Sequence, residues 1–386
     1  MKLPFENRIY LDHNATTAPR LSAIKGVKKA LKYWGNPSSI HQNASKAKAL
    51  IWEARQNLSH FLNCHPLEII FTSGASESNN HAIKGLFQKR DKKNQRNELI
   101  LSAVEHPSVL SAAHFLSQKG FTVHQIPVSR QGFLDEDFFE KRLSEKTLLV
   151  SIMSANNETG IIFPMKKWIK KAHEKGAFFH SDMVQILGKK KVDLKDLEID
   201  LASFSGHKCY SLQGCGILYC KKGILLDSLI HGGPQERQRR AGTENLTGIT
   251  AFGSVAKEGD FILQESQKLK SLRDNMEKYI LSSLKKVEII GHKALRLDNT
   301  SCLCISDVPG ETLLMNLDLK GIAISVGSAC GSGKMESSSV LTAMGFTQKS
   351  ALSSIRVSLG IDTTKEQMDY FQKTLVESVN RLRNLE

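Results

Sequence analysis

No run of eighteen apolar residues occurs in this chain of 386, so nothing in it is suited to cross a membrane as a helix. The opening stretch MKLPFENRIYLDHN lacks the apolar centre of a signal peptide, and the protein is expected in the cytoplasm. The seven cysteines (Cys64, Cys209, Cys215, Cys220, Cys302, Cys304 and Cys330) lack zinc-ligand spacing, so no metal site is expected. Their odd number suits a compartment that keeps thiols reduced. Cys302 and Cys304 alternate in the run SCLCI and share one face of a strand, where buried free thiols are common. Basic segments interleaved with aromatics are also missing, which argues against direct nucleic-acid binding.

What the chain has in excess is positive charge: 53 Lys and Arg against 39 Asp and Glu, a net +14. The excess sits in exposed-looking stretches, Lys166, Lys167, Lys170, Lys171 and Lys175, and in the cluster Lys189, Lys190 and Lys191. Such a balance favours acidic partners, and otherwise simply keeps a protein soluble.

A chain of this length outgrows a single core and is expected to divide. Six apolar runs read as strands: 68–72, 98–103, 148–155, 177–182, 201–205 and 216–220. Helical patterns such as MKKWIKKAHEKG lie between several of them, which argues for an α/β fold with a largely parallel sheet. A long helical pattern follows Lys257, then TSCLCIS, a helix from Glu311, IAISVGS, a helix near Val340, SIRVSLG and a closing helix capped at Thr363-Thr364. Residues 15–256 are expected to form the large domain. Residues 1–14 together with 257–386 are expected to form a smaller α+β domain.

Four strand ends carry chemistry. SFSGHK places Lys208 beside Ser205 and His207, a setting suited to capturing an aldehyde while neighbours hold an anion. In HSDMVQ, Asp182 ends an apolar strand, with Gln185 three residues on; a buried carboxylate calls for a cation such as a protonated pyridine nitrogen, or else caps a helix. TSGASESNN turns into a helix whose first N–H groups, near Ala75 and Ser76, suit a phosphate. His106 follows the fourth strand end and could stack on a flat ring or move protons, although a lone histidine is as readily structural. Asn157 is equally ambiguous. Cys330, in the polar small-residue stretch GSACGSGKMESSSV, reads as a reactive thiol on a loop.

Ten segments in chain order resemble the NifS/IscS-type cysteine desulfurases, class V members of the fold-type I enzymes that use pyridoxal 5'-phosphate (PLP). They are YLDHNATT, GNPSSIH, FTSGASESNN, EHPSVL, NNETG, HSDMVQ, SGHK, GGPQERQRRAGTEN, GSACGSG and SIRVSLG. The resemblance implies that Lys208 carries PLP as a Schiff base and later moves protons. It implies that His106 stacks on the ring, Asp182 pairs with the ring nitrogen and Gln185 contacts the ring hydroxyl. Ala75, Ser76, Ser205 and His207 would hold the phosphate, and Thr243 would reach the phosphate of a neighbouring subunit in a homodimer. Asn157 and Arg356 would bind the carboxylate of L-cysteine, and Cys330 would take its sulfur as a persulfide, leaving alanine. A sulfur-acceptor protein, either an iron–sulfur scaffold or a carrier serving tRNA thiolation, would follow.

The spacing from Cys330 to Val340 resembles the long-loop branch of the family. Departures are CYSLQG after Lys208, where the family has a Gly-Pro-Lys-Gly turn, the missing proline after Cys330, and the absent C-terminal tail used for scaffold docking. Three alternatives stay open: a selenocysteine lyase, an aminotransferase that has no need of Cys330, and a non-catalytic partner-binding protein that retains the fold.

Overall fold

The computed structural model describes residues 8–86, 96–327 and 337–384. The described chain opens with β1 (Ile9–Tyr10), followed by helices α1 (Leu21–Lys32) and α2 (Gln42–Leu62). A seven-stranded sheet comes next: β2 (Ile69–Thr72), β3 (Glu98–Ser102), β4 (Thr122–Ile126), β5 (Thr147–Ser151), β6 (Phe178–Asp182), β7 (Leu201–Ser205) and β8 (Gly216–Cys220). Helices α3 (Ala75–Gly85) and α4 (Pro107–Ser117) leave the ends of β2 and β3.

In space the strand order is β2-β8-β7-β6-β5-β3-β4. Strands β7, β6, β5, β3 and β4 run parallel, and β8 runs antiparallel to both of its neighbours. It follows that β2 points the same way as β7, so the carboxyl ends of six strands meet at one edge. In open α/β sheets that edge is where ligands bind. Every residue of β2, β5, β7 and β8 is buried, the consequence of cover on both faces.

The C-terminal part builds an antiparallel sheet. Its strands are β9 (Val287–Ile289), β10 (Thr300–Ile305), β12 (Ser325–Val326) and β13 (Ser354–Ser358), ordered β12-β13-β10-β9, while β11 (Ile322–Ala323) pairs in parallel with β1. Helices Gly259–Ser283, Gly310–Leu319 and Lys365–Arg383 pack with these strands around Met276, Leu303, Val357, Phe371 and Leu375. The last helix starts from a reciprocal cap in which Thr364 and Gln367 satisfy each other's backbone N–H groups. Met368, Phe371, Leu375 and Val379 of its apolar stripe are buried.

All six expected strands form; 201–205 and 216–220 match in both bounds, and the other four have shifted ends. The run 148–155 is strand only from Thr147 to Ser151, although Ile152 and Ser154 still donate to the His180 and Asp182 carbonyls of β6 (3.2 and 3.0 Å). IAISVGS divides between two sheets as β11 and β12. The edge strand β4, TVHQI, was not anticipated: it is exposed or half-buried up to Ile126 and has no apolar run. Among the described residues, no helix is long and apolar enough to cross a membrane.

Candidate active site

A cavity of about 540 Å³ opens at the carboxyl ends of the strands, and Asn14, Ala15 and Arg356 reach it from outside the large sheet. Ala75, Ser76, His106, Asn157, Asp182, Gln185, Ser205, His207, Lys208 and Arg356 all line it. Thr243 does not; it is exposed and lines a separate hollow that shares Ser73 and Gly214 with this one. Cys330 lies outside the described residues. A larger hollow of about 750 Å³, between α2 and the segment 234–244, contains none of the candidate residues.

Lys208 sits on the short turn that ends β7. Its Nζ donates to the main-chain oxygens of Asn14 (2.6 Å) and Ala15 (2.5 Å). Burial lowers its pKa to about 8; Arg356 adds to the fall, and Asp12 and Asp182 oppose it. Where the family turn is replaced by Cys209-Tyr210, Tyr210 adopts φ +58°, a left-handed conformation rare for a bulky residue. Three bonds hold it there. Its N–H donates to Thr17 Oγ1 (2.7 Å), its carbonyl accepts from Arg20 N (3.0 Å), and its hydroxyl accepts from Ile361 N (3.0 Å).

Asp182 is buried at the end of β6. Its Oδ1 accepts from the Val184 N–H (3.0 Å) in a turn rather than a helix cap, and its Oδ2 accepts from Asn79 Nδ2 (2.8 Å). Asn79 spends its other amide hydrogen on Ser108 Oγ (2.9 Å), which leaves the Ser108 hydroxyl to donate to His106 Nδ1 (2.7 Å). The Ser108 N–H also donates to that nitrogen (3.1 Å), so His106 caps α4. Burial, reinforced by Lys208 against Asp182, lowers the His106 pKa. The ring is therefore neutral, with its proton on Nε2.

The turn after β2 delivers the start of α3, whose first N–H groups have no intrahelical acceptor. Gly216 of β8 allows this turn to come so near: a Cβ there would lie 2.7 Å from the Gly74 backbone. Glu77 fixes the turn by accepting from Ser73 N (2.8 Å) and from Arg240 through two nitrogens (2.9 and 3.2 Å). Burial pulls the His207 pKa down to about 4, with help from Lys208. Arg356 donates to the Asn157 carbonyl (3.1 Å) and pairs with Asp12 (2.5 Å), while its buried Nε has no partner among the described residues.

Residues 9–371 match the family model described as aminotransferase class-V. The chain belongs to the aminotransferase class-V family. A cysteine desulfurase IscS from Dictyoglomus turgidum is 40% identical over 382 residues, spanning 98% of this chain and 96% of the relative. A solved NifS-like protein superposes with a TM-score of 0.90 at 34% identity, covering 97% of this chain and all of the other. A structure titled SspA in complex with cysteine gives a TM-score of 0.80 at 30% identity, covering 92% and 100% of the two chains.

In this member of the class-V family, Lys189 departs from what the sequence led one to expect. Lys189 does not belong to an exposed cluster: it is 7% exposed, with Nζ donating to Gln185 Oε1 (2.6 Å) and Asn14 Oδ1 (2.8 Å). The stretch MVQIL before it is buried throughout, and Lys189 is carried inward with it. Lys190 is half-buried and pairs with Asp298, which leaves Lys191 as the exposed member. Asn79, Ser108 and Asn14 escaped the sequence reading, because small polar residues in a motif give no sign of their partners. Glu158 escaped it too. Burial raises its pKa to about 7, and its Oε2 accepts from Ser338 Oγ (2.5 Å).

Proposed function

We propose that the chain is a PLP-dependent cysteine desulfurase, converting L-cysteine to L-alanine while Cys330 keeps the sulfur as a persulfide. The observation that carries this reading is the meeting of Lys208, Asp182, His106 and the start of α3 in one cavity. The donor set fits PLP group by group. A buried carboxylate braced by Asn79 suits the ring nitrogen, and a neutral imidazole suits the ring face. Free helix N–H groups with Ser205 and His207 suit the phosphate, and an amine lowered to about 8 suits the aldehyde. When bound, PLP supplies an electron sink for charge developing at the substrate α-carbon.

The chain's own residues do the rest. At pH 7 about a tenth of Lys208 is neutral, against about three in ten thousand for an ordinary lysine, so it can take a proton from the α-carbon. Asn157 and Arg356 orient the substrate carboxylate, for which a guanidinium offers two parallel donors. Cys330 then takes the sulfur: cysteine and one enzyme thiol become alanine and one persulfide, with no further oxidant. The desulfurase relatives and the SspA structure with bound cysteine support this substrate.

The persulfide goes on to an acceptor protein serving iron–sulfur assembly or tRNA thiolation. The active unit is a homodimer in which Thr243 reaches its partner's phosphate site. Residues 15–256 form the cofactor-binding domain, and residues 1–14 with 257–386 form the small one. The test is Cys330→Ser. This variant still binds PLP but no longer releases alanine from cysteine, and the wild-type Cys330 peptide gains one sulfur by mass. Alanine formation at the wild-type rate in Cys330→Ser would overturn the reading.

A further inference from the structure

Lys189 is a buried lysine behind the cavity wall, and the chemistry above makes no use of it. Its Nζ donates to Gln185 Oε1 (2.6 Å) and Asn14 Oδ1 (2.8 Å). Gln185 in turn donates from Nε2 to the Asn14 main-chain oxygen (3.0 Å), the same atom that accepts from Lys208 (2.6 Å). A carbonyl oxygen only accepts and the lysine here donates, so the Gln185 amide is oriented from both sides. Oε1 faces Lys189, which does not line the cavity. The second Nε2 hydrogen has no acceptor among the described residues.

We propose that Lys189 is a positioning residue: it braces Gln185 and Asn14 so that Gln185 presents an N–H, not a carbonyl, to the cofactor oxygen beside Lys208. The proposal rests on the PLP reading. PLP carries a phenolic oxygen next to its aldehyde, and Gln185 and Lys208 share one carbonyl, so this N–H would hold that oxygen if Lys208 carried the aldehyde. Lys189 faces Lys208, Arg356, His13 and Cys209. Burial above all, then Lys208 and Arg356, push its pKa well down.

A donor to the phenolic oxygen stabilises negative charge there and lowers the pH at which the lysine-bound cofactor loses its proton. The test is a visible-absorption pH titration of PLP-loaded wild type, Lys189→Met, Gln185→Met and the double variant. Each single variant is expected to titrate about one pH unit higher, the worth of one hydrogen bond to a charged acceptor. The double variant is expected to rise no further, because both changes remove the same bond. A Lys189→Met midpoint within about 0.2 unit of wild type overturns the proposal, as do additive shifts, which would assign Lys189 a charge effect of its own. If Lys189→Met does not fold, Lys189→Ala answers the same question with the same two outcomes. A wild type that takes up no PLP overturns the cofactor reading and this proposal with it; a wild type that titrates while the variant does not shift overturns this proposal alone.

Discussion

The lowered pKa of Lys208 makes a kinetic prediction on cofactor-free protein. Only the neutral amine attacks an aldehyde, so covalent capture of PLP should rise tenfold per pH unit until the amine is mostly neutral. With a pKa of about 8, the rate at pH 7 should be about a tenth of its plateau, and level off by about pH 9. An ordinary lysine near 10.4 would still be climbing there. The perturbation is Arg356→Gln. It removes a cation that lowers the Lys208 pKa and frees Asp12, now paired with that cation, to raise it. Both changes act in one direction, so the midpoint should move up and capture at pH 7 should slow tenfold for each unit. Stopped-flow absorbance between pH 6.5 and 10.5 measures both curves. A wild-type midpoint near 10.4, or a downward move in Arg356→Gln, would refute the electrostatic argument.

Glu158 should make stability fall as pH rises. Its folded pKa is raised to about 7 from 4.5, so below about 4.5 both states hold the proton and nothing is lost. Between 4.5 and 7 the unfolded chain ionises first. The full shift is worth about 3 kcal/mol, and screening at this half-buried site brings it to about 2. Glu158→Gln should flatten that slope in urea titrations, and a variant whose profile parallels wild type across this window would contradict it. Asn79→Ala should cost about 2 kcal/mol, since it takes a hydrogen bond from the buried Asp182 carboxylate. A loss below about 0.5 kcal/mol by chemical denaturation would mean that Asp182 is satisfied without it.

Strand ends were legible in the sequence because buried parallel strands are unbroken apolar runs, and Asp182 closes one while His106 and Lys208 follow others within four residues. The edge strand β4 was not legible, since Thr122 and Gln125 face solvent and its pairing with β3 is a tertiary fact. Asn79 was quoted within its motif, but only the fold brings it to Asp182, 103 residues away. Lys189 misled for a related reason. Three adjacent lysines read as surface, and only the turn after β6 separates the buried first one from the exposed third.

Asn14 ties the site to chain segments made at very different times. Its side chain holds Lys189 and Thr300, its carbonyl holds Lys208 and Gln185, and its N–H donates to Ser358 Oγ, 344 residues later (3.0 Å). At roughly 5 to 20 residues per second, a ribosome needs roughly 20 to 70 s to make that last partner. Until then β13 is incomplete and Asn14 lacks its Ser358 partner. A nascent chain can fold its large sheet early, because those strands are complete by Cys220. Asn14, which holds the reactive amine, gains its full set of partners only when segments from opposite parts of the polypeptide meet.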